Sequence, residues 1–366
     1  MTSAELRRYS RHLLMPEVAL AGQEKLRAAR VLVVGAGGLG SPALAYLAAA
    51  GVGRLGIVDG DVVDLTNLQR QILFGDADLG KPKAEVAAAR LRALNPHIAL
   101  DIYPLELDER NARDLIHPYD LVLDCTDRFA TRYLINDACW FEGKPDVFAS
   151  IFRFDGQVTV LSAQHSACYR CLFPQAPPAG SVPTCAEGGV LGVLPGIVGA
   201  YQANEALKLI LGIGEPLYNR LLLVDALGGR TRDVRYGKDP ACALCGPHAR
   251  IHELRSEPDD AIVDLVDDIR AEDLDDALDR ATLLDVREPH EIVLGILPGS
   301  VHIPASELDA RLHELDSARA YIVACRVGVK SRWAVQRLRD AGFARVAHLH
   351  GGLLSYAVLG DAFAFF

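Results

Sequence analysis

The first continuous apolar run, VLVV at residues 31–34, breaks off at a string of glycines. A run this short and unbroken predicts a parallel strand buried on both faces. An alanine-rich helical stretch follows at 41–50, and a second apolar run, RLGIVDGD, ends in acidic residues. Residues 83–94 carry a helical pattern that stops at Asn95-Pro96, because proline drives the residue before it out of the helical region. A third strand-like run, DLVLDCTD, starts at Asp120. Strands alternating with helices predict an α/β fold with a doubly wound, mainly parallel sheet.

From Pro145 to about Leu161 the pattern changes to closely spaced strands, among them GQVTVLS. PQAPPAGSVPT, at 174–184, is rich in proline and glycine and predicts a mobile loop. A long helix is expected over roughly 195–211, followed by the strands LLLVDAL and TRDVRY. GPHARIHELRSEPDD then lacks strong periodicity and reads as a linker. Strand–helix alternation returns from about Asp264: a helix near 271–279, strands TLLDV and YIVAC, a helix near 331–341, and strand VAHL. The expected organisation is a larger domain over 1–248, a linker over 249–261 and a smaller α/β domain over 262–366.

Length and charge are consistent with this division. A chain of 366 residues exceeds one ordinary core. A net charge of -10 argues against a nucleic-acid binder, which usually presents a basic face. The most apolar stretch, GGVLGVLPGIVGAYQANEALKLILG, contains Pro195, Glu205 and Lys208, so a buried core helix is expected there and not a membrane span. MTSAELRRYSRHLL carries no apolar leader, and a cytoplasmic protein is expected.

Gly35-Ala36-Gly37-Gly38-Leu39-Gly40 follows the first strand and opens a helix, the context in which G-x-G-x-x-G brings backbone close to phosphate. Asp59 ends the next strand, where a carboxylate can bond ribose hydroxyls. These features alone favour NAD. The residues that follow change the reading. Asp61 to Gln71 is a dense polar segment containing Arg70, whose planar fork suits phosphate, and Lys83 opens the next helix. The third strand leads to Asp127, a carboxylate able to hold Mg²⁺. Arginine, lysine and a metal-binding aspartate suit triphosphate chemistry better than hydride transfer. Arg11 could supply a further cation.

VLVVGAGGLGSPALAYLAAAGVGRLGIVDGDVVDLTNLQRQ, GKPKAE, LNPHI and LVLDCTD, in that order, resemble the MoeB/ThiF adenylyltransferases, relatives of ubiquitin-activating enzymes. The resemblance spans roughly residues 5–248. It implies a Rossmann-like ATP-binding domain with contacts from Gly38, Asp59, the run Thr66, Asn67, Leu68, Gln69 and Arg70, Lys83 and Asp127. It further implies a homodimer in which Arg11 reaches the partner subunit's site. Many members carry asparagine where this chain has Arg128, so the role of Arg128 is open.

The eight cysteines include two C-x-x-C pairs, Cys168/Cys171 and Cys242/Cys245. Four thiolates close a tetrahedral Zn²⁺ site and leave no position for substrate, so a structural zinc is expected. Cys185 ends the Pro/Gly loop, where a cysteine is accessible, and the MoeB/ThiF resemblance implies a candidate nucleophile or persulfide partner at this position, with thioester and disulfide both open. Cys125 and Cys139 sit in apolar surroundings and are expected in the core.

Cys325-Arg326-Val327-Gly328-Val329-Lys330-Ser331 lies between a strand and a helix. Such a loop turns backbone N–H groups inward, where they and the helix N-terminus stabilise a thiolate or persulfide, with Arg326 and Lys330 adding positive charge. A phosphatase loop would need arginine where Ser331 stands. LDVREPHE, PGSVHIP and CRVGVKS together resemble a rhodanese domain over roughly 262–366, which implies a persulfide on Cys325. Asp285 and Arg287 are expected to be structural.

The two resemblances together imply an enzyme that uses ATP to adenylate the C-terminal Gly-Gly of a small ubiquitin-like sulfur carrier. Its second domain then supplies sulfur to give a thiocarboxylate. The lean is to molybdopterin synthesis and a MoaD-like carrier; carriers for thiamin, cysteine or tRNA thiolation stay open. So does the sulfur source, thiosulfate or a cysteine desulfurase.

Overall fold

The computed structural model describes residues 1–176, 189–255 and 268–357. They form two compact units, the first holding residues 1–176 and 189–255 and the second 268–357. Cys185 lies outside the described residues.

The first unit is built on an eight-stranded sheet. Strands β1 (Arg30–Val34), β2 (Arg54–Val58), β3 (Ala99–Tyr103), β4 (Leu121–Asp124) and β5 (Asp146–Phe152) run parallel in the order β3-β2-β1-β4-β5. Strands β6 (Asp155–Leu161), β7 (Arg220–Asp225) and β8 (Arg230–Arg235) extend the same sheet antiparallel. Side chains alternate between two cores. Val31, Val33, Leu55, Ile57, Leu121 and Leu123 pack on one face. Leu32, Val34, Val58 and Val122 pack on the other, under helices Ala112–Ile116 and Phe129–Glu142. Coverage of both faces explains why these strands read as unbroken apolar runs.

Helices Gly40–Ala50 and Leu194–Leu211 lie against each other on the first face. Their closeness depends on glycine: a Cβ on Gly199 would stand 2.4 Å from the Leu39 carbonyl oxygen. The long apolar segment is therefore a core helix. Among the described residues no helix is long and apolar enough to cross a membrane.

The second unit has a five-stranded, wholly parallel sheet in the order β11-β10-β12-β13-β9. Its strands are β9 (Asp268–Ile269), β10 (Thr282–Asp285), β11 (Val301–His302), β12 (Tyr321–Ala324) and β13 (Val346–Leu349). The same alternation recurs: Leu284 and Val323 face one core, Leu283, Ile322 and Ala324 the other. The helix expected near 271–279 is a 3₁₀ turn, Ala271–Asp273, running into a short α-helix, Leu274–Leu278.

Candidate active site

Strand order reverses between β1 and β4, and there the loops after β1, β2 and β4 meet at the carboxyl edge of the sheet, the place where doubly wound sheets bind ligands. The β1 loop turns on Gly35, whose φ of +93° is a left-handed conformation suited to glycine. A Cβ on Gly40 would lie 1.9 Å from the Gly35 carbonyl oxygen, so the turn closes only with glycine there. Beside Gly38 stand Pro195 and the Arg70 side chain. Helix Gly40–Ala50 begins at this turn, and its first N–H groups have no partner within the helix.

The acidic and basic residues of the crevice hold one another. Asp59 accepts from the Ala36 N–H at 2.7 Å and the Asp61 N–H at 2.9 Å. Burial raises its carboxyl above the ordinary carboxylate range. The nearly buried Lys83 pairs with Asp61, Nζ to Oδ2 2.7 Å. Thr66 and Asn67 close a short 3₁₀ turn, Leu65–Asn67, with Asp64 accepting from the Thr66 N–H at 2.8 Å and the Thr66 hydroxyl at 2.5 Å. Leu68 packs on the core, Gln69 is exposed with its carbonyl against Gly192, and Arg70 donates to the Thr66 carbonyl at 2.8 Å. After β4, buried Asp124 shapes the loop by accepting from the Thr126 N–H and hydroxyl at 2.9 and 2.7 Å. Asp127 is exposed beyond it. Arg128 pairs with Glu106 at 3.1 Å, so its charge is partly spent at the surface. Arg11 is exposed on helix Ser10–Leu13; among the described residues no hydrogen bond or ion pair joins it to the others.

Three supporting residues escaped the sequence reading. Gln202 donates to the Asp124 and Val147 carbonyls at 2.7 and 2.9 Å and so ties the long helix to β4 and β5. Arg132 holds the Thr126 carbonyl and lies 5.0 Å from the Phe129 ring and 5.7 Å from the Phe148 ring. Gln71 is buried beside Gly37, with its Oε1 unpartnered. A polar residue inside an apolar run was the available signal for Gln202, and Gln71 closes the polar segment that begins at Asp61; Arg132 had no such signal.

Cys168, Cys171, Cys242 and Cys245 converge from the segments after β6 and β8, with all four sulfurs within 4.8 Å of one another. Sulfur–sulfur separations of 3.8, 3.5, 3.5 and 3.2 Å surround a centre. Zinc–sulfur bonds of about 2.3 Å in a tetrahedron demand sulfurs about 3.8 Å apart. The donor set therefore fits Zn²⁺. Cys125 and Cys139 are buried, and burial pushes both thiols well up.

In the second unit Cys325 directly follows the central strand β12 and is buried. Its Sγ accepts from the Gly328 N–H at 3.2 Å and the Ser331 N–H at 3.4 Å, where the loop enters helix Val329–Asp340. Gly328 makes this turn at a φ of +93°. Of the two loop cations, Lys330 is paired with Glu291 at 2.9 Å, and Arg326 is exposed. Arg287 is buried against Asp285, Nη2 to Oδ2 2.7 Å, and also donates to the Gly295 carbonyl at 2.9 Å.

Known proteins share this architecture. Residues 9–244 match the ThiF family and residues 270–358 the rhodanese-like domain. A sulfur carrier protein adenylyltransferase of Thermus thermophilus is 52% identical over 258 residues, which cover 69% of this chain and 95% of that protein. A probable adenylyltransferase/sulfurtransferase MoeZ of Mycobacterium tuberculosis is 43% identical over 368 residues, 98% of this chain and 94% of that one. Among solved structures, Escherichia coli MccB bound to AMPCPP and MccA aligns at a TM-score of 0.59 and 24% identity, over 67% of this chain and 75% of that one, a likeness of fold. With a glycine-turn crevice in one unit, a backbone-cradled cysteine in the other and a relative aligned along nearly its whole length, this chain belongs to the ThiF family and, through its rhodanese-like domain, to the fused adenylyltransferase/sulfurtransferases.

Proposed function

We propose that this adenylyltransferase and sulfurtransferase acts on a small ubiquitin-like sulfur carrier ending in Gly-Gly, with residues 1–248 activating the carrier and residues 262–366 supplying sulfur. The reading is carried by one juxtaposition: a single chain holds a cation-lined glycine crevice and a sulfur held by two backbone N–H groups.

The chemistry follows from these groups. ATP lies along the glycine turn, near the Asp59 loop. The carrier carboxylate attacks the α-phosphorus, the bond to pyrophosphate breaks, and an acyl-adenylate forms. Arg70 and Lys83 balance charge as it develops. To do so Arg70 releases the Thr66 carbonyl, which costs one exposed hydrogen bond. Asp127 would hold Mg²⁺, which supplies charge neutralisation at the phosphates. The outer sulfur of a Cys325 persulfide then attacks the acyl carbon and AMP leaves. Cys185 attacks Sγ of Cys325, the sulfur–sulfur bond breaks, and the carrier departs as a thiocarboxylate; a cellular thiol reduces the disulfide left behind. A homodimer in which Arg11 serves the partner's crevice completes the site. Sulfur reaches Cys325 from thiosulfate or a cysteine desulfurase. The GGVLGVL segment and the fused second domain favour molybdopterin synthesis.

Cys325→Ala should keep carrier-dependent pyrophosphate exchange within about twofold and lose thiocarboxylate formation at least a hundredfold. Loss of exchange with loading intact would overturn the division of labour. Arg70→Ala should slow exchange about a hundredfold, in line with removing one transition-state donor; normal exchange would take Arg70 out of the site. Capturing the carrier and weighing its C-terminus identifies the pathway.

A further inference from the structure

A line of buried polar atoms runs away from Cys325. Its Sγ lies 3.5 Å from Ser331 Oγ, and that oxygen lies 3.3 Å from His348 Nδ1. On the far side of the ring, His348 Nε2 lies 3.0 Å from Arg332 Nε and 3.1 Å from Asp268 Oδ1. Ser331 and His348 are both fully buried. We propose that Ser331 and His348 are positioning residues that turn a hydroxyl hydrogen onto the anionic sulfur of Cys325, adding a third donor to the two backbone N–H groups. This rests on the reading of Cys325 as the sulfur-bearing residue.

The proton positions follow from the partners. Of the two groups at His348 Nε2, Arg332 Nε can only donate and the Asp268 carboxylate can only accept; we take Nε2 as the acceptor from the nearer Arg332 Nε, at 3.0 Å against 3.1 Å, which leaves the ring proton on Nδ1. Nδ1–H then donates to Ser331 Oγ. Burial pulls the imidazole down to about 4, which keeps the ring neutral at physiological pH. With Oγ already accepting from His348, its hydrogen has two acceptors in reach, the Gly328 carbonyl at 3.0 Å and the Cys325 sulfur. Beside a neutral thiol the hydrogen goes to Gly328. Beside a thiolate or persulfide, the negative charge draws it to sulfur, because charge-assisted hydrogen bonds are the stronger ones.

The charged groups around the sulfur are Arg326 and Lys330 on the loop, Glu291 paired with Lys330, and Arg332 with Asp268 and His350 at the far end. Ligand atoms of Asp268, His348 and His350 lie within 4.8 Å of one another, as a metal site would require. The Arg332 guanidinium sets a positive charge against two of these three residues, Nε 3.0 Å from His348 Nε2 and Nη2 3.9 Å from Asp268 Oδ2.

The test uses the full chain, freed of sulfane sulfur with cyanide and reduced. Iodoacetamide alkylation of Cys325 is followed by mass spectrometry across pH. Ser331→Ala and His348→Leu should each move the thiolate titration up by about one pH unit, so that the rate at pH 7 falls about tenfold. The double variant should move it no further, and His348→Asn, whose amide N–H can replace Nδ1–H, should restore most of the loss. Additive shifts, or a displaced Ser331→Ala profile beside an unmoved His348→Leu profile, overturn the proposal. ¹⁵N NMR of histidine-labelled wild-type protein checks the same point without a substitution: His348 should be protonated at Nδ1, and a proton on Nε2 would refute it. Failure of the sulfur-transfer reading would look different, since Cys325→Ala would then still make thiocarboxylate whatever the alkylation profile.

Discussion

Arg287, expected from the sequence to be structural, is locked into the interior of the second unit. It is buried to 1% exposure, and its partner Asp285 is completely buried. Arg287 donates through Nε and Nη2 to both oxygens of Asp285, a fork that fixes the end of β10 beside β12. Removing one partner of such a pair leaves a bare charge inside the protein, which costs about 3–5 kcal/mol. Asp285→Ala should therefore lower the stability of the second domain by that order in denaturant unfolding, while pyrophosphate exchange by the first domain persists. A loss under about 1 kcal/mol, the range of an exposed pair, would show that the pair is solvated. The crevice uses charge differently. Lys83 is nearly buried, yet its partner Asp61 is exposed, so the ammonium can exchange a carboxylate for a phosphate without losing all compensation.

At the scale of elements, the two C-x-x-C segments act as one. Cys168 opens the short helix Tyr169–Leu172 after β6, and Cys242 and Cys245 lie in a loop after β8. Four sulfurs with neighbours as close as 3.2–3.8 Å would repel one another as bare thiolates. A divalent metal binds all four as thiolates and relieves this. Purified protein should contain about one zinc per chain. Chelation, or Cys242→Ala, should loosen the segments after β6 and β8, seen as faster amide exchange there. A stable, metal-free preparation with unchanged exchange would remove zinc from the account. The helix Leu194–Leu211 is the other organising element, because its Gln202 bridges β4 and β5 underneath the crevice.

For the whole molecule, the consequence of two domains in one chain is kinetic. In the proposed function, covalent attachment would raise the effective concentration of the sulfur donor at the adenylate, without any new contact. Cutting the chain between the domains after folding should leave exchange unchanged and make sulfur loading depend on the concentration of the second domain. Loading that stays fast in dilute solution would show that attachment contributes nothing.

Local pattern was enough to determine the class of fold, most strand positions and the glycine turn, because strands buried on both faces and close-approach turns leave short-range marks; the two chemistries came from the family resemblances that the motifs carry. The half-exposed edge strand Ala99–Tyr103 and the two-residue strands at Asp268 and Val301 left none, since each exists by pairing with a neighbour. Tertiary structure alone decided that Asp59 is held by the Ala36 N–H, that Lys330 is neutralised by Glu291, and that His348 reaches Ser331. Those contacts join residues 23, 39 and 17 positions apart. Only the folded sheet, by fixing which strand ends lie side by side, brings them within hydrogen-bonding distance.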